Sequence, residues 1–557
     1  MIGADRPSQS HLNEVGILNG QTVFRAVCLI ALAVVVHLPA LPGDFFWDDY
    51  DWIVDNPRVR ESDGLRRLWT EWDQYDYWPL HYSMHWFEWR LWGEWAAPFR
   101  LLNQFWHALD CLLVWLLLAR LRVPGAYLIA ILFAVHPVNV ESVAWVSQRK
   151  TVQSTAGAFV SLACLLRYID TLHARWYVAS VLAFLFGLLT KTSVVMWPLA
   201  LLLCLAWYRR RFTLGDVRVI APMLLISLVL GLAGTLMRGE QQGIEYARDD
   251  GLASRLAIAG RAVWFYAEKT VWPLELSVVY PRWELGRTDL VAFLPLVALI
   301  AVLGIAWKYR RRWGLAVFVA MGYFVVNLFP ALGFIGYMFQ RYSLVGDHYQ
   351  YLAMPGLLAL LVGGAATLIV HRPPMRLPAL VLAVVVAGFL SWQSFERSRL
   401  WSADDSEPIW RDALETNPDG ELPNRRLGYV LAVRGEFREA VELICKAERT
   451  AVPPVPWGPP RVDPQRLEDA TGHRFEKIGL EQTSEDVRIA YAMGTSLYVM
   501  GQEQLAGDFL FTIAKQAPGF AGAPYNLALV TAAMGDQEQS KKWYLQAEAL
   551  AELSTAD

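Results

Sequence analysis

Apolar residues gather into eleven runs between residues 22 and 395, and no run of that kind follows. They occupy 22–40, 100–119, 125–136, 151–167, 175–190, 193–207, 217–237, 290–307, 314–330, 350–370 and 378–395. A helix crosses the hydrocarbon with roughly 20 mostly apolar residues, so the shorter runs must draw on their neighbours. In lipid every backbone N–H and C=O has to be paired inside a helix or a closed barrel. Uninterrupted runs of this length favour the helix. The expected fold is all-α, a polytopic membrane protein of about 11 transmembrane helices. The first run reads as a retained span rather than a cleaved leader, because no A-x-A-like site follows it and ten more runs do.

Mean hydropathy, +0.27, is too low for a chain that is membrane from end to end. The difference lies in the tail, which carries turns and charges. The expected division is a short N-terminal segment (1–21), a membrane module (22–398) and a soluble tail (399–557). The tail repeats itself. Gly501 and Gly535 are 34 residues apart, as are Gly494 and Ala528, the period of tetratricopeptide (TPR) helix pairs. Three such units are expected, around Gly428, Gly494 and Ala528, with a Pro-rich insert at 451–482 after the first.

Formal net charge is −3, so no global basic field points to nucleic acid. The five cysteines, Cys28, Cys111, Cys164, Cys204 and Cys445, show no paired spacing and read as inert thiols. Basic residues follow alternate runs: Arg120 and Arg122, Arg209 to Arg211, Lys308 with Arg310 to Arg312, and Arg372 with Arg376. Cytoplasmic loops collect such residues. All these clusters share one side if 252–280 does not cross the bilayer. That segment carries Arg255, Arg261, Glu268 and Lys269, which are costly in lipid. It is expected to be interfacial or packed on protein, with the tail extracytoplasmic.

The first outer loop, 41–99, holds nine Trp and twelve Asp or Glu against five Arg. Asp48 and Asp49 stand directly after the first span. Adjacent carboxylates raise one another's pKa, which suits a general base near neutrality. The pair is also able to hold a divalent cation, although no metal-ligand spacing signals one. Three other segments fall on the same side: 133–150 with His136, Glu141, Arg149 and Lys150; Lys191; and 339–356 with Arg341, Asp347, His348 and Tyr349. A base in one loop and cations in the others can assemble one site. For each cation taken singly, snorkelling to the interface is the commoner explanation; their shared side favours function for the set.

The sequences FFWDDYDWIVDNP, AVHPVNVESVAWVSQRK, LLTKTSVVMWPLALLL and RYSLVGDHYQYL, followed by TPR-like repeats, resemble the transmembrane-and-TPR O-mannosyltransferases, the TMTC family. The resemblance runs from about 20 to 550. It implies a GT-C glycosyltransferase fold and a sugar, mannose, carried on a polyprenyl phosphate. It implies a catalytic carboxylate matching Asp48 or Asp49. It also implies a donor-phosphate group matching Arg149, Lys150, Lys191, Arg341 and His348. His136, Glu141, Asp347 and Tyr349 would orient cations or sugar hydroxyls. Two positions depart from the pattern: Thr151 stands where relatives often have an acid, and Gly346-Asp347-His348-Tyr349 where they often read ADRY.

The expected reaction is inverting transfer from the lipid-linked sugar to Ser or Thr of an extracytoplasmic protein, with no required cofactor. The repeats would hold the polypeptide. Compact loops suggest a bacterial inner membrane with a periplasmic site, or the ER membrane and lumen in a eukaryote. The competing expectations are a transferase acting on a glycan or lipid, a non-enzymatic TPR scaffold, and a transporter.

Overall fold

The computed structural model describes residues 20–71, 77–241, 251–283, 290–336, 338–403, 405–434, 436–450, 483–499 and 501–554. It is helical, with no strand among the described residues. It divides into two compact units, each described by itself. The first comprises residues 1–276, 283–340 and 344–404; the second comprises 277–282, 341–343 and 405–557.

The first unit contains α1 (Gly20–Val35), α2 (Pro79–Trp92), α3 (Ala96–Arg120), α4 (Ala126–Ala134), α5 (Val140–Ala144), α6 (Arg149–Thr171) and α7 (Ala174–Thr190). It continues with α8 (Trp197–Arg209), α9 (Leu214–Gln241), α10 (Leu252–Val271), α11 (Leu294–Lys308), α12 (Gly314–Leu328), α13 (Met354–Val370) and α14 (Arg376–Arg399). Among the described residues seven helical stretches are long and apolar enough to cross a membrane, and an eighth if α4 and α5 are one bent span. Three shorter apolar helices, α1, α7 and α13, accompany them. The protein is an all-α polytopic integral membrane protein.

The sequence explains two departures from straight spans. The run at 125–136 ends at Pro137, whose ring cannot continue the helix. The chain bends by 52° there and resumes as α5. The run at 350–370 begins late, because Asp347–Gln350 form a 3₁₀ turn and α13 starts at Met354. Helix α10, in the segment expected not to cross, does not reach the hydropathy of the spanning set. It buries Ala257, Ile258, Ala262, Val263 and Tyr266.

Apolar burial drives little association between helices already in lipid, so close packing and interhelical hydrogen bonds must do so. The crossing of α6 and α7 shows both. A Cβ on Gly157 would stand 2.9 Å from the Ala183 carbonyl oxygen and the Gly187 nitrogen. One step along, Ser161 Oγ and Ser180 Oγ are 3.1 Å apart. The core gathers around Cys111, Phe133, Leu165, Trp197 and Leu201, all buried.

The N-terminal half of α3 has one buried polar face, with Arg100, Asn103, Gln104 and His107, which fastens the loops that carry the site. Arg100 donates to the carbonyls of Gly43, Asp44 and Ala144. Asn103 Nδ2 donates to the Trp145 carbonyl at 2.9 Å, and Gln104 Nε2 to the His37 carbonyl at 2.9 Å.

The second unit consists of α15 (Glu407–Thr416), α16 (Glu421–Arg434), α17 (Phe437–Thr450), α18 (Glu485–Val499), α19 (Glu503–Gln516), α20 (Gly522–Ala533) and α21 (Gln537–Ser554). From α16 onward successive helices pack in pairs, α16 with α17, α18 with α19 and α20 with α21. Gly501 and Gly535 turn with φ of 73° and 88°, a conformation that a Cβ disfavours. The Pro-rich insert at 451–482 lies outside the described residues.

Candidate functional site

The first outer loop is a packed element. A π-type turn (Tyr50–Val54) and short helices Pro57–Arg60 and Gly64–Thr70 precede α2. Phe45, Ile53, Val59, Leu68, Trp78 and Phe99 form its core. The two adjacent aspartates have different surroundings. Trp47 adopts φ 44°, rare for a residue with a side chain. The turn sends Asp49 inward, to 0% exposure. Its Oδ2 accepts from the Phe46 N–H at 2.9 Å and its Oδ1 from the Ser147 N–H at 2.7 Å. Burial pushes the Asp49 carboxyl up to about 6, against the opposing pull of those N–H groups and Arg100. Asp48 stays half-exposed.

From this turn an aromatic path leads to the other segments. Trp47 stacks on Trp145 at 5.6 Å, and Trp145 meets the His348 ring edge-on at 6.1 Å. Glu141 and His348 are paired: Nδ1 to Oε1 is 2.8 Å, and the His348 N–H donates to Oε2 at 3.2 Å. Burial, then the charges of Lys191 and Lys150, hold the His348 pKa well below the usual range. One hydrogen bond joins ring and carboxyl, and the imidazole tautomer decides whether Nδ1 or Oε1 carries its proton.

Two lysines converge here. Lys191, where α7 ends, donates from Nζ to Thr151 Oγ1 at 2.7 Å and stands 5.8 Å from the Tyr349 ring. Lys150, in the first turn of α6, sits over the Trp52 ring at 3.4 Å and 4.9 Å from that of Trp78. Trp78 Nε1 in turn donates to Thr192 Oγ1 at 3.0 Å, tying the acidic loop to the Lys191 segment.

Other expected site residues have different surroundings. Arg149 is buried in an ion pair with Glu88, donates from Nε to Asn103 Oδ1 at 2.8 Å, and donates from Nη2 to the Phe99 carbonyl at 2.5 Å. His136 caps the turn after the bend, accepting from the Val138 N–H at 3.4 Å. Its other nitrogen lies 3.0 Å from the Thr270 carbonyl. Arg341 belongs to the second unit, where its guanidinium is 3.5 Å from Glu421. Asp347 is buried beside His348.

Three residues were not singled out in the sequence. His81, His85 and Glu88 lie on one face of α2, at the i, i+4, i+7 spacing that signals such a face. His85 Nδ1 is 3.0 Å from Glu88 Oε2. The rings of His81 and His85 are 4.5 Å apart. Both nitrogens of His81 are buried without a hydrogen-bond partner among the described residues. Burial, then the charges of His85, Lys150, Arg149 and Lys191, keep His81 neutral. Among the described residues no three His, Cys, Asp or Glu side chains form a metal-binding group.

Fold and site together define a polytopic membrane protein that concentrates buried acids, lysines and neutral imidazoles at one end of a helical unit. No family profile matches the chain. Over 458 residues, 75% of its length, it is 23% identical to a protein of Caenorhabditis elegans named as a protein O-mannosyl-transferase. The match spans 62% of that relative's length.

Proposed function

We propose that this chain is a membrane glycosyltransferase, inverting and GT-C-like, that moves mannose from a polyprenyl phosphate to Ser or Thr hydroxyls of extracytoplasmic protein. One observation carries the reading: Lys150, Lys191, the Glu141–His348 pair and the Asp48 turn are linked through Trp47, Trp52, Trp78 and Trp145 within one unit. The similarity to the worm O-mannosyl-transferase supports the same class.

Asp48, half-exposed, takes the proton of the acceptor hydroxyl; Asp49, held by two N–H donors, fixes the turn that presents it. The acceptor oxygen bonds to the anomeric carbon. The bond from that carbon to the phosphate oxygen breaks, and its electron pair leaves with the polyprenyl phosphate. Lys150 and Lys191 stabilise the charge gathering on the phosphate, where fixed cations in a water-poor site act most strongly. His348, held by Glu141, presents Nε2 to a sugar hydroxyl. Tyr349 and Asp347 help to orient the sugar. The helix pairs of the second unit receive the polypeptide as a TPR-like surface. The site faces the periplasm if the chain is bacterial.

The deciding experiment measures transfer from polyprenyl-phosphate mannose to peptide in nanodiscs, with wild type, Asp48→Asn and Asp49→Asn. Wild-type rates in both variants would overturn the base assignment. Transfer to glycan but not to peptide would move the acceptor to another class.

A further inference from the structure

At the other end of the first unit lies a cavity of about 1010 Å³. Helix α3 starts beside the site, with Phe99 and Arg100, and ends at Arg120. Its 25 residues span roughly 37 Å at 1.5 Å each, so the two features occupy opposite ends. The cavity walls are apolar, among them Leu118, Leu162, Val319, Ala359 and Leu360, contributed by α3, α6, α12 and α13. Its mouth is lined by Arg122, Arg210, Arg310, Arg311 and Arg312.

These arginines lack acidic partners. The carboxylates at this end are taken: Asp170 by Arg120, and Asp216 by Arg209 at 3.2 Å. None of the five rim arginines is in an ion pair among the described residues. Two lie over indoles at the mouth, Arg210 on Trp207 at 3.7 Å and Arg310 on Trp307 at 4.3 Å. Burial and then the charge of Arg122 depress the Arg210 pKa, as expected where positive charge is concentrated without compensation. An apolar chamber at membrane depth beneath an unneutralised cationic rim complements a ligand with hydrocarbon chains and a phosphate.

We propose that this cavity is a binding site for an anionic glycerophospholipid, with its acyl chains among α3, α6, α12 and α13 and its phosphate on the Arg122, Arg210 and Arg310–Arg312 rim. Basic pockets between spans at the cytoplasmic leaflet hold lipids of this kind. The site is remote from the acidic loop, and the inference is independent of the reaction proposed there.

The test is native mass spectrometry of full-length protein released from nanodiscs containing equal phosphatidylglycerol and phosphatidylcholine. Retained phosphatidylglycerol should exceed phosphatidylcholine by about tenfold or more, since each arginine near an anionic lipid is worth about fivefold. The triple variant R310Q/R311Q/R312Q should lose most of that preference. Ala359→Phe fills the chamber and leaves every arginine in place; it should also lose the lipid. Ala316→Leu is the gentler filler if Ala359→Phe fails to fold. Three outcomes would each overturn the proposal: equal retention of the two lipids, wild-type retention in a folded filled-cavity variant, or displacement of the lipid by glycerol phosphate alone.

Discussion

Glu141 and His348 are 207 residues apart in sequence, yet the Glu141 carboxyl accepts the backbone N–H of that histidine, at 3.2 Å, and shares a hydrogen bond with its ring Nδ1, at 2.8 Å. The pair joins α5 to the turn before α13 and holds the imidazole ring in place. Removing one partner of a buried bond leaves the other unsatisfied, at about 1–3 kcal/mol per group. Glu141→Ala should therefore lower the thermal unfolding temperature in detergent clearly more than Glu141→Gln, which keeps an acceptor. Equal melting of the two variants would show that the bonds are not made.

Asp48 and Asp49 should separate when rate and stability are measured together. Asp48→Asn is expected to lower transfer by about 10²–10⁴-fold, the usual worth of general-base assistance, with little change in melting. Asp49→Ala orphans the buried N–H groups of Phe46 and Ser147 and should cost several degrees. If Asp49→Ala melts like wild type, the turn does not depend on it.

The Asp49 carboxyl also predicts a pH dependence. Its folded pKa, about 6, lies above the ordinary aspartate value of 3.8. Between these values the folded state holds the proton more tightly, so stability falls as pH rises from about 4 to about 6 and levels off above. The upward shift corresponds to a loss on the order of 3 kcal/mol. Asp49→Asn removes this titration. The difference in melting temperature between wild type and Asp49→Asn, followed from pH 4 to 7, should shift against wild type; a flat difference contradicts the shift.

Lys191 tests the cationic side. Lys191→Met should reduce kcat/KM for the lipid-linked donor about 10- to 100-fold, in line with about 1.5–3 kcal/mol for hydrogen bonds to charged groups. Lys191→Arg should recover part of the loss. A variant with wild-type kinetics would leave Lys191 as a partner of Thr151 alone.

His81 offers the opposite signature. Two unpartnered ring nitrogens make it costly to the fold. His81→Phe should melt at or above the wild-type temperature while transfer falls. Unchanged transfer would mean that the nitrogens do not serve the site.

Hydropathy alone specified the membrane class and the helical secondary structure, because lipid leaves a spanning backbone few alternatives. It did not foresee the 52° bend at Pro137, since the run at 125–136 reads as a straight span. The sequence also grouped Asp48, Asp49, Glu141, Lys150, Lys191 and His348 as candidates through the one side that the expected topology gives them. It did not separate the two aspartates. Their difference comes from the left-handed backbone at Trp47 and from the Ser147 N–H, a donor 98 residues away. Nor did it show that Arg149 is occupied by Glu88, that Arg341 belongs with Glu421, or that His81 and His85 line the lysine cluster. Topology assigns a residue to one side of a bilayer. Which atoms meet there is settled by how the loops fold against α3, through long-range bonds that local sequence patterns do not encode.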